Sequence, residues 1–217
     1  MEAGLTKQLE VERLVAIIRG IPQDKVVETV NALADGGITF VEVTLNSEGA
    51  LGLINELRGK YGDRLRIGAG TVLDESMAKE AISAGAEYLL SPNFDEEVLV
   101  YGLDNGAEVW PGTMTPTEIV RAHRLGASAV KVFPIKSLGI GYIKELRAPL
   151  NHIPMIATGG VNLQNIDEVF ANGAFAVGLG GNLVDKKLIQ KGDFEQISQL
   201  ARAYVERAKQ VDSYVQK

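Results

Sequence analysis

The stretch SAVKVFP, residues 128 to 134, sets a lysine inside an apolar run, and that lysine has the clearest capacity for chemistry in the chain. Lys131 has Val130 and Val132 on either side, and Phe133 and Pro134 follow. Strand alternation puts its side chain on one face with Ala129 and Phe133. Removing an ammonium from water is costly, so fully buried lysines are rare. If this face points into a fold, desolvation favours the neutral amine, which can attack a carbonyl and form a Schiff base. Position alone leaves a second reading open: a lysine at a strand end that snorkels to water or pairs with a carboxylate.

A second ionisable group has the same kind of setting. Glu42 is centred in FVEVT, on a face with Phe40 and Thr44. A buried carboxylate needs a partner or a raised pKa, and a raised pKa suits general acid/base work. The competing reading is a structural ion pair with Lys131 or Arg19. Two buried charges of opposite sign at the centres of two apolar strands favour function over either bland reading. Arg19 ends AIIRG, where a guanidinium suits a substrate carboxylate or phosphate and, with equal weight, an ion pair at a strand end. The turns ATGGVN and GLGGN supply Gly159 and Gly160, then Gly180 and Gly181. Backbone N–H groups in such turns can approach a phosphate closely, although glycine is also ordinary there. His123 and His152 fall in a helix and before a strand, away from these groups. No His, Asp or Glu cluster has metal-ligand spacing, so no metal is expected.

A repeated unit must position these residues. ADGGITFVEV, SAGAEYLLS, DNGAEVWPG, RLGASAVKVF and ANGAFAVGL each read as a helix end, a glycine and a short apolar strand. Glycine there is the usual left-handed helix stop. Spacings of 21 and 20 residues separate Gly85, Gly106 and Gly126, about one strand-helix unit. LVAIIR, LRIGAG and PMIATGG supply three more strands, making eight. Helix starts stand between them. Thr115 can N-cap, with Pro116 at the first helical position and Glu118 completing a capping box. Asp74 and Asn162 precede helical stretches in the same manner. Apolar strands alternating with helices imply a parallel sheet buried on both faces. Eight units close most economically into a (β/α)8 TIM barrel, a single domain over residues 1–217 with a short N-terminal helix. An open doubly wound sheet is the competitor. In a barrel, chemistry belongs at the C-terminal strand ends. Those ends read Arg19, Glu42 with Thr44, Thr71, Ser91-Pro92-Asn93, Pro111 to Thr113, Lys131 with Phe133, Thr158-Gly159-Gly160, and Gly178 to Asn182.

Composition bounds the partners. The 217 residues are 46% apolar and 23% charged, as in ordinary globular proteins. A net charge of -6 argues against a general nucleic-acid or anionic-membrane binder, since the overall field repels both. The absence of cysteine excludes disulfides, thiolate nucleophiles and cysteine metal sites. The polar, acidic start MEAGLTKQLEVERLV has no apolar signal core, and no run approaches transmembrane length, so a cytoplasmic location is expected.

Taken in order, FVEVTLN, IGAGTVL, SPN, PGTMTPTE, KVFP, ATGGV and GLGGNLV resemble the motifs of the 2-keto-3-deoxy-6-phosphogluconate (KDPG) aldolase family, over about Leu14 to Arg207. The resemblance implies a (β/α)8 barrel, usually a homotrimer, acting on a phosphorylated keto sugar acid without metal or cofactor. Such an enzyme cleaves a 2-keto-3-deoxy-6-phospho sugar acid to pyruvate and glyceraldehyde 3-phosphate through a lysine Schiff base. Carried over by motif, Lys131 is the Schiff-base lysine and Glu42 the acid/base. Thr71 and Pro92 line the pyruvate end, Phe133 closes the pocket, and Gly159, Gly160, Gly180 and Gly181 hold the phosphate.

Some positions depart from the pattern. Phosphogluconate enzymes usually read EVTLRT, whose arginine grips the substrate carboxylate, and here that position is Asn46. LNS, IIRGI, SPN and the GLG turn look more like the 6-phosphogalactonate branch, which gives Arg19 the anchoring role. PGTMTPTE and Thr158 look like the phosphogluconate branch. The usual serine of the last phosphate turn is replaced by Gly181, which removes one hydroxyl donor. The C4 epimer therefore stays open. So do an aldolase for an unphosphorylated keto acid such as 4-hydroxy-2-oxoglutarate, a phosphate-binding barrel isomerase or decarboxylase, and a barrel that binds a sugar phosphate without catalysis.

Overall fold

The computed structural model describes residues 4–210, as a ring of parallel strands with helices outside. In chain order the first half comprises α1 (Leu5–Glu12), β1 (Leu14–Ile18), α2 (Gln23–Asp35), β2 (Phe40–Thr44), α3 (Ala50–Tyr61), β3 (Arg66–Gly70), α4 (Glu75–Ser83), β4 (Tyr88–Leu90), α5 (Glu96–Asp104) and β5 (Glu108–Trp110). There follow β6 (Gly112–Thr113), α6 (Pro116–Arg124), β7 (Val130–Val132), α7 (Ile135–Leu138), α8 (Gly141–Arg147), β8 (Met155–Thr158), α9 (Ile166–Ala171), β9 (Ala176–Leu179), α10 (Lys186–Lys191) and α11 (Phe194–Gln210). None of these helices is long and apolar enough to cross a membrane.

Nine strand segments occupy one sheet in the order β5-β4-β3-β2-β1-β9-β8-β7-β6. Its two ends, β5 and β6, are consecutive in the chain and separated only by Pro111. Proline has no N–H, so the ladder is interrupted there. The Gly112 N–H turns instead to Ser91 Oγ at 3.2 Å, while the Pro111 carbonyl still accepts from the Lys131 N–H at 2.9 Å. Residues 108–113 thus act as a single fifth strand, its first half on β4 and its second on β7, and the ring closes. The expected eight strand positions are all present. The correction is that the fifth is split in two.

The helix stops follow the glycines. Gly37, Gly85, Gly106, Gly126 and Gly173 sit at φ 95°, 101°, 79°, 106° and 96°, a region that side chains with a Cβ avoid. Asp74 accepts from the Met77 N–H at the start of α4, and the Thr115–Glu118 capping box opens α6 with Pro116 at its first position. Asn162 differs from expectation. Its side chain accepts from the Gln164 and Asn165 N–H groups and closes a turn, and α9 begins only at Ile166.

Alternation along each strand divides the core in two. Outward residues such as Val41, Val43, Ile67 and Val130 pack under the helices in one large cluster. Inward residues form a second, smaller cluster. Its bulk is uneven. Phe40, Tyr88 and Trp110 fill the β2–β5 side, with Tyr88 and Trp110 stacked at 4.7 Å, whereas on the β7–β9 side Ala129 and Ala176 flank a single large residue, Ile156. Leu9 of α1 joins this cluster with no exposed surface. Trp110 Nε1 donates to Thr6 Oγ1 at 2.9 Å, which ties the helix to the aromatic layer.

Candidate active site

The uneven floor decides where the open space lies. A cavity of about 310 Å³ sits above the small residues of the β7–β9 side, against Ile17, Lys131, Thr158 and Gly178. Gly178 leaves the Thr158 hydroxyl its place: a Cβ would stand 2.6 Å from Thr158 Oγ1. Around the mouth come Arg19, Phe133, Gly159 and Gly160, then Gly180, Gly181 and Lys186. Eight residues singled out from the sequence therefore share one cavity: Arg19, Lys131, Phe133, Thr158 and the four glycines.

Lys131 is 3% exposed, and its Nζ lies 5.4 Å from the centre of the Phe133 ring. The backbone around it is fixed on both sides by β6 and β8. Glu42 is 1% exposed and stands on β2, four strand positions from β7 around the ring and therefore across the barrel. Neither Glu42 oxygen has a hydrogen-bond partner among the described residues. That rules out a hydrogen-bonded ion pair with Lys131 or Arg19, the structural reading the sequence left open. Unpaired buried carboxylates are costly unless they serve something else. Thr158 Oγ1 is likewise buried without a partner among the described residues. A cation, a carboxylate and a hydroxyl, all inward and all unengaged by each other, suit a polar molecule with a carbonyl.

The mouth is built from backbone devices. The Gly20 N–H donates to Ser47 Oγ at 2.9 Å, Ser47 meets Thr44 Oγ1 at 3.0 Å, and Thr44 Oγ1 donates to the Ile18 carbonyl. This chain of bonds fixes the backbone on both sides of Arg19, whose own side chain is exposed at the cavity. Gly159 and Gly160 adopt φ 98° and 84°, so their N–H groups face a direction that other residues rarely reach. Around Gly180 and Gly181 no atom stands within 4 Å of where a Cβ would sit.

Three predicted residues lie outside the cavity lining, and Glu42 is also absent from it. Thr71 follows β3 with φ 61°, a conformation that strains a β-branched residue and that clusters at functional sites. Pro92 is half-buried after β4, its backbone packed on Gly112. Asn46 is exposed on the loop after β2. His123 and His152 stack edge to face at 5.4 Å, away from the cavity. Among the described residues no group of three His, Asp or Glu side chains could hold a metal ion.

Sequence reasoning passed over Lys186, the first residue of α10, whose side chain reaches back to the cavity and to Gly20. The signal was the pair of lysines in VDKK shortly after the second glycine turn, but only the barrel geometry brings one of them beside Arg19.

Comparison with known proteins gives a consistent picture. Residues 5–200 match the family model described as KDPG and KHG aldolase. The chain is 35% identical over 194 residues to the 2-dehydro-3-deoxy-6-phosphogalactonate aldolase of Escherichia coli K12, covering 89% of this chain and 95% of that one. It is 34% identical over 195 residues to the 2-dehydro-3-deoxy-phosphogluconate aldolase of Treponema pallidum, covering 89% and 92%. The fold superimposes with a TM-score of 0.87 on the KDPG aldolase of Legionella pneumophila, at 25% identity and covering 94% and 98%. That structure holds pyruvate as a covalent carbinolamine. With its barrel, its buried lysine and its paired glycine turns, this chain belongs to the KDPG and KHG aldolase family.

Proposed function

We propose that the protein is a class I aldolase that cleaves a 2-keto-3-deoxy-6-phospho sugar acid, of phosphogluconate or phosphogalactonate type, to pyruvate and glyceraldehyde 3-phosphate. The observation that carries this reading is Lys131: an inward, 3% exposed amine at the base of a cavity whose mouth is lined by cations and glycine turns. Lys131 Nζ attacks the C2 ketone, and loss of water leaves a protonated imine that draws electrons from C3. Glu42, through a water, accepts the proton of the C4 hydroxyl. The C3–C4 bond then breaks, its electron pair forming the enamine as C4 becomes the aldehyde. Glu42 returns the proton to C3, and hydrolysis of the imine releases pyruvate and restores the lysine.

The remaining residues divide by position. Thr158, beside Lys131, and Thr71 and Pro92, on the Glu42 side, hold the pyruvate end, and Phe133 covers the imine. Gly159, Gly160, Gly180 and Gly181 receive the phosphate through backbone N–H groups, with Arg19 and Lys186 supplying charge. Asn46, exposed beyond the cavity, is left for the outer end of the sugar acid. No metal or cofactor takes part. For the assembly we propose a homotrimer in the cytoplasm, supported by the exposed apolar side chains of Leu73, Val100 and Met114 on neighbouring units.

The test is trapping. Pyruvate with borohydride is expected to leave a stable adduct on Lys131, read by mass spectrometry of peptides. An adduct that persists in Lys131→Ala would overturn the assignment.

A further inference from the structure

The aromatic floor of the barrel carries one polar atom that the proposed reaction does not use. Tyr88 is fully buried at 0% exposure, and its hydroxyl has no hydrogen-bond partner among the described residues. Its ring stacks on Trp110 at 4.7 Å and tilts against Phe40 at 5.8 Å. Phenylalanine would supply the same ring. The added hydroxyl, buried without a partner, carries a desolvation cost that nothing in the ring's packing offsets. Packing therefore accounts for the ring and leaves the oxygen unexplained.

Register shows what the oxygen faces. Gly68 of β3 pairs with Glu42 on one side and with Tyr88 on the other, so the three residues form one row across β2, β3 and β4. The absent side chain at Gly68 is what lets the two neighbours converge. A Cβ there would stand 2.2 Å from Tyr88 Cε2 and 2.5 Å from its Cζ. Glu42 leans onto the next inward position, where a Cβ on Gly70 would stand 2.4 Å from its carboxyl carbon. The phenol end of Tyr88 thus lies over Gly68 and the carboxylate over Gly70. Those two strand positions are about 6.6 Å apart, near enough for the Glu42 charge to act on the phenol. One water with two hydrogen bonds of about 2.8 Å covers a gap of up to about 5.6 Å between the two side-chain oxygens. Burial, and then the Glu42 charge, hold the phenol well above the ordinary tyrosine pKa, so it stays a donor.

We propose that Tyr88 is a positioning residue for Glu42: its O–H, through one bridging water, donates to the Glu42 carboxylate and fixes the oxygen that takes and returns the proton. The proposal rests on the aldolase reading above. Tyr88 itself keeps its proton throughout.

The experiment compares wild type with Tyr88→Phe in four measurements: kcat and KM for pyruvate release, borohydride trapping with pyruvate, exchange of the pyruvate methyl protons into deuterium oxide, and folding by circular dichroism. The expected result is a kcat and an exchange rate each lowered about tenfold or more, with KM within about twofold. Trapping should be unchanged, because Lys131 is untouched. In a Glu42→Gln background the same substitution should add no further loss, since Tyr88 acts through that carboxylate. Unchanged kcat and exchange, a loss that adds in full to Glu42→Gln, or a Tyr88→Phe chain that no longer folds would each overturn the proposal. Failure of wild type to trap pyruvate would instead strike the aldolase reading, so the two failures stay distinct.

Discussion

Lys186 and Gly181 face the same cavity with opposite deficits. Gly181 offers no hydroxyl in the second glycine turn, while Lys186 brings a charge to the rim. An ammonium beside a guanidinium gives a dianion two charge-assisted partners, each stronger than a neutral hydrogen bond. Lys186 is exposed at the rim, so solvent screening limits its contribution to about one factor of ten in affinity. We expect Lys186→Met to raise KM for the phosphorylated substrate about tenfold and to change KM for the unphosphorylated keto acid several-fold less. A Cβ at Gly181 meets no described atom within 4 Å, so Gly181→Ser should be accommodated and recover part of that loss. Steady-state kinetics on both substrates checks it, and equal effects on the two would assign Lys186 a merely structural role.

Strand β3 does its work by omission. IGAG reads from sequence as an ordinary strand with two weak positions, yet both glycines face inward and clear space for neighbours. At Gly70 a Cβ would fall 1.8 Å from Glu42 Oε1, so Gly70→Ala has to displace that carboxylate. The clash is with a side-chain end, and the loss of stability should stay within the 1–3 kcal/mol typical of overpacking. Activity should fall about a hundredfold, the scale of a lost general acid/base, while borohydride trapping on Lys131 persists. Pyruvate-release kinetics alongside urea denaturation separates these effects, and a proportionate loss of trapping would contradict the account. Gly112→Ala is the contrast, since its Cβ would meet the Pro92 backbone at 2.3 Å and nothing there can rotate away. The same strands show what a sequence can reveal. Five of the units were legible because a helix ends there on a glycine whose φ is positive, a local requirement written in residue type, and the other three strands fit the gaps between them. Lys131 and Glu42 were legible because a charge inside an apolar strand is rare. The split at Pro111 was not, because it depends on which neighbour each half of residues 108–113 pairs with. Tyr88 was not, because an apolar strand accepts tyrosine readily and only the row through Gly68 shows what its hydroxyl faces.

At the scale of the whole barrel, the two ends have different duties. The end with the strand C-termini stays open, with glycines and charged groups around a cavity. The other end must then hold the ring together. There α1 lies across the opening, its Leu9 fully buried against the inner cluster. Thr6 accepts from Trp110 and donates from both its N–H and its hydroxyl to Glu108, so the plug is bonded as well as packed. Leu9→Ala removes the apolar part while leaving those bonds. It should cost about 2–5 kcal/mol, the range for a buried leucine truncated to alanine. Urea unfolding reads this as a lower midpoint with an unchanged slope, since the surface exposed on unfolding is nearly the same. Lys131 and Glu42 each stand one inward position beyond Ala129 and Phe40, the residues of their strands that share the cluster with Leu9. The variant should therefore keep kcat within about twofold at temperatures where it remains folded. A large fall in kcat without a fall in midpoint would mean that the closed end sets the geometry of the open one, and the division of labour between them would have to be abandoned.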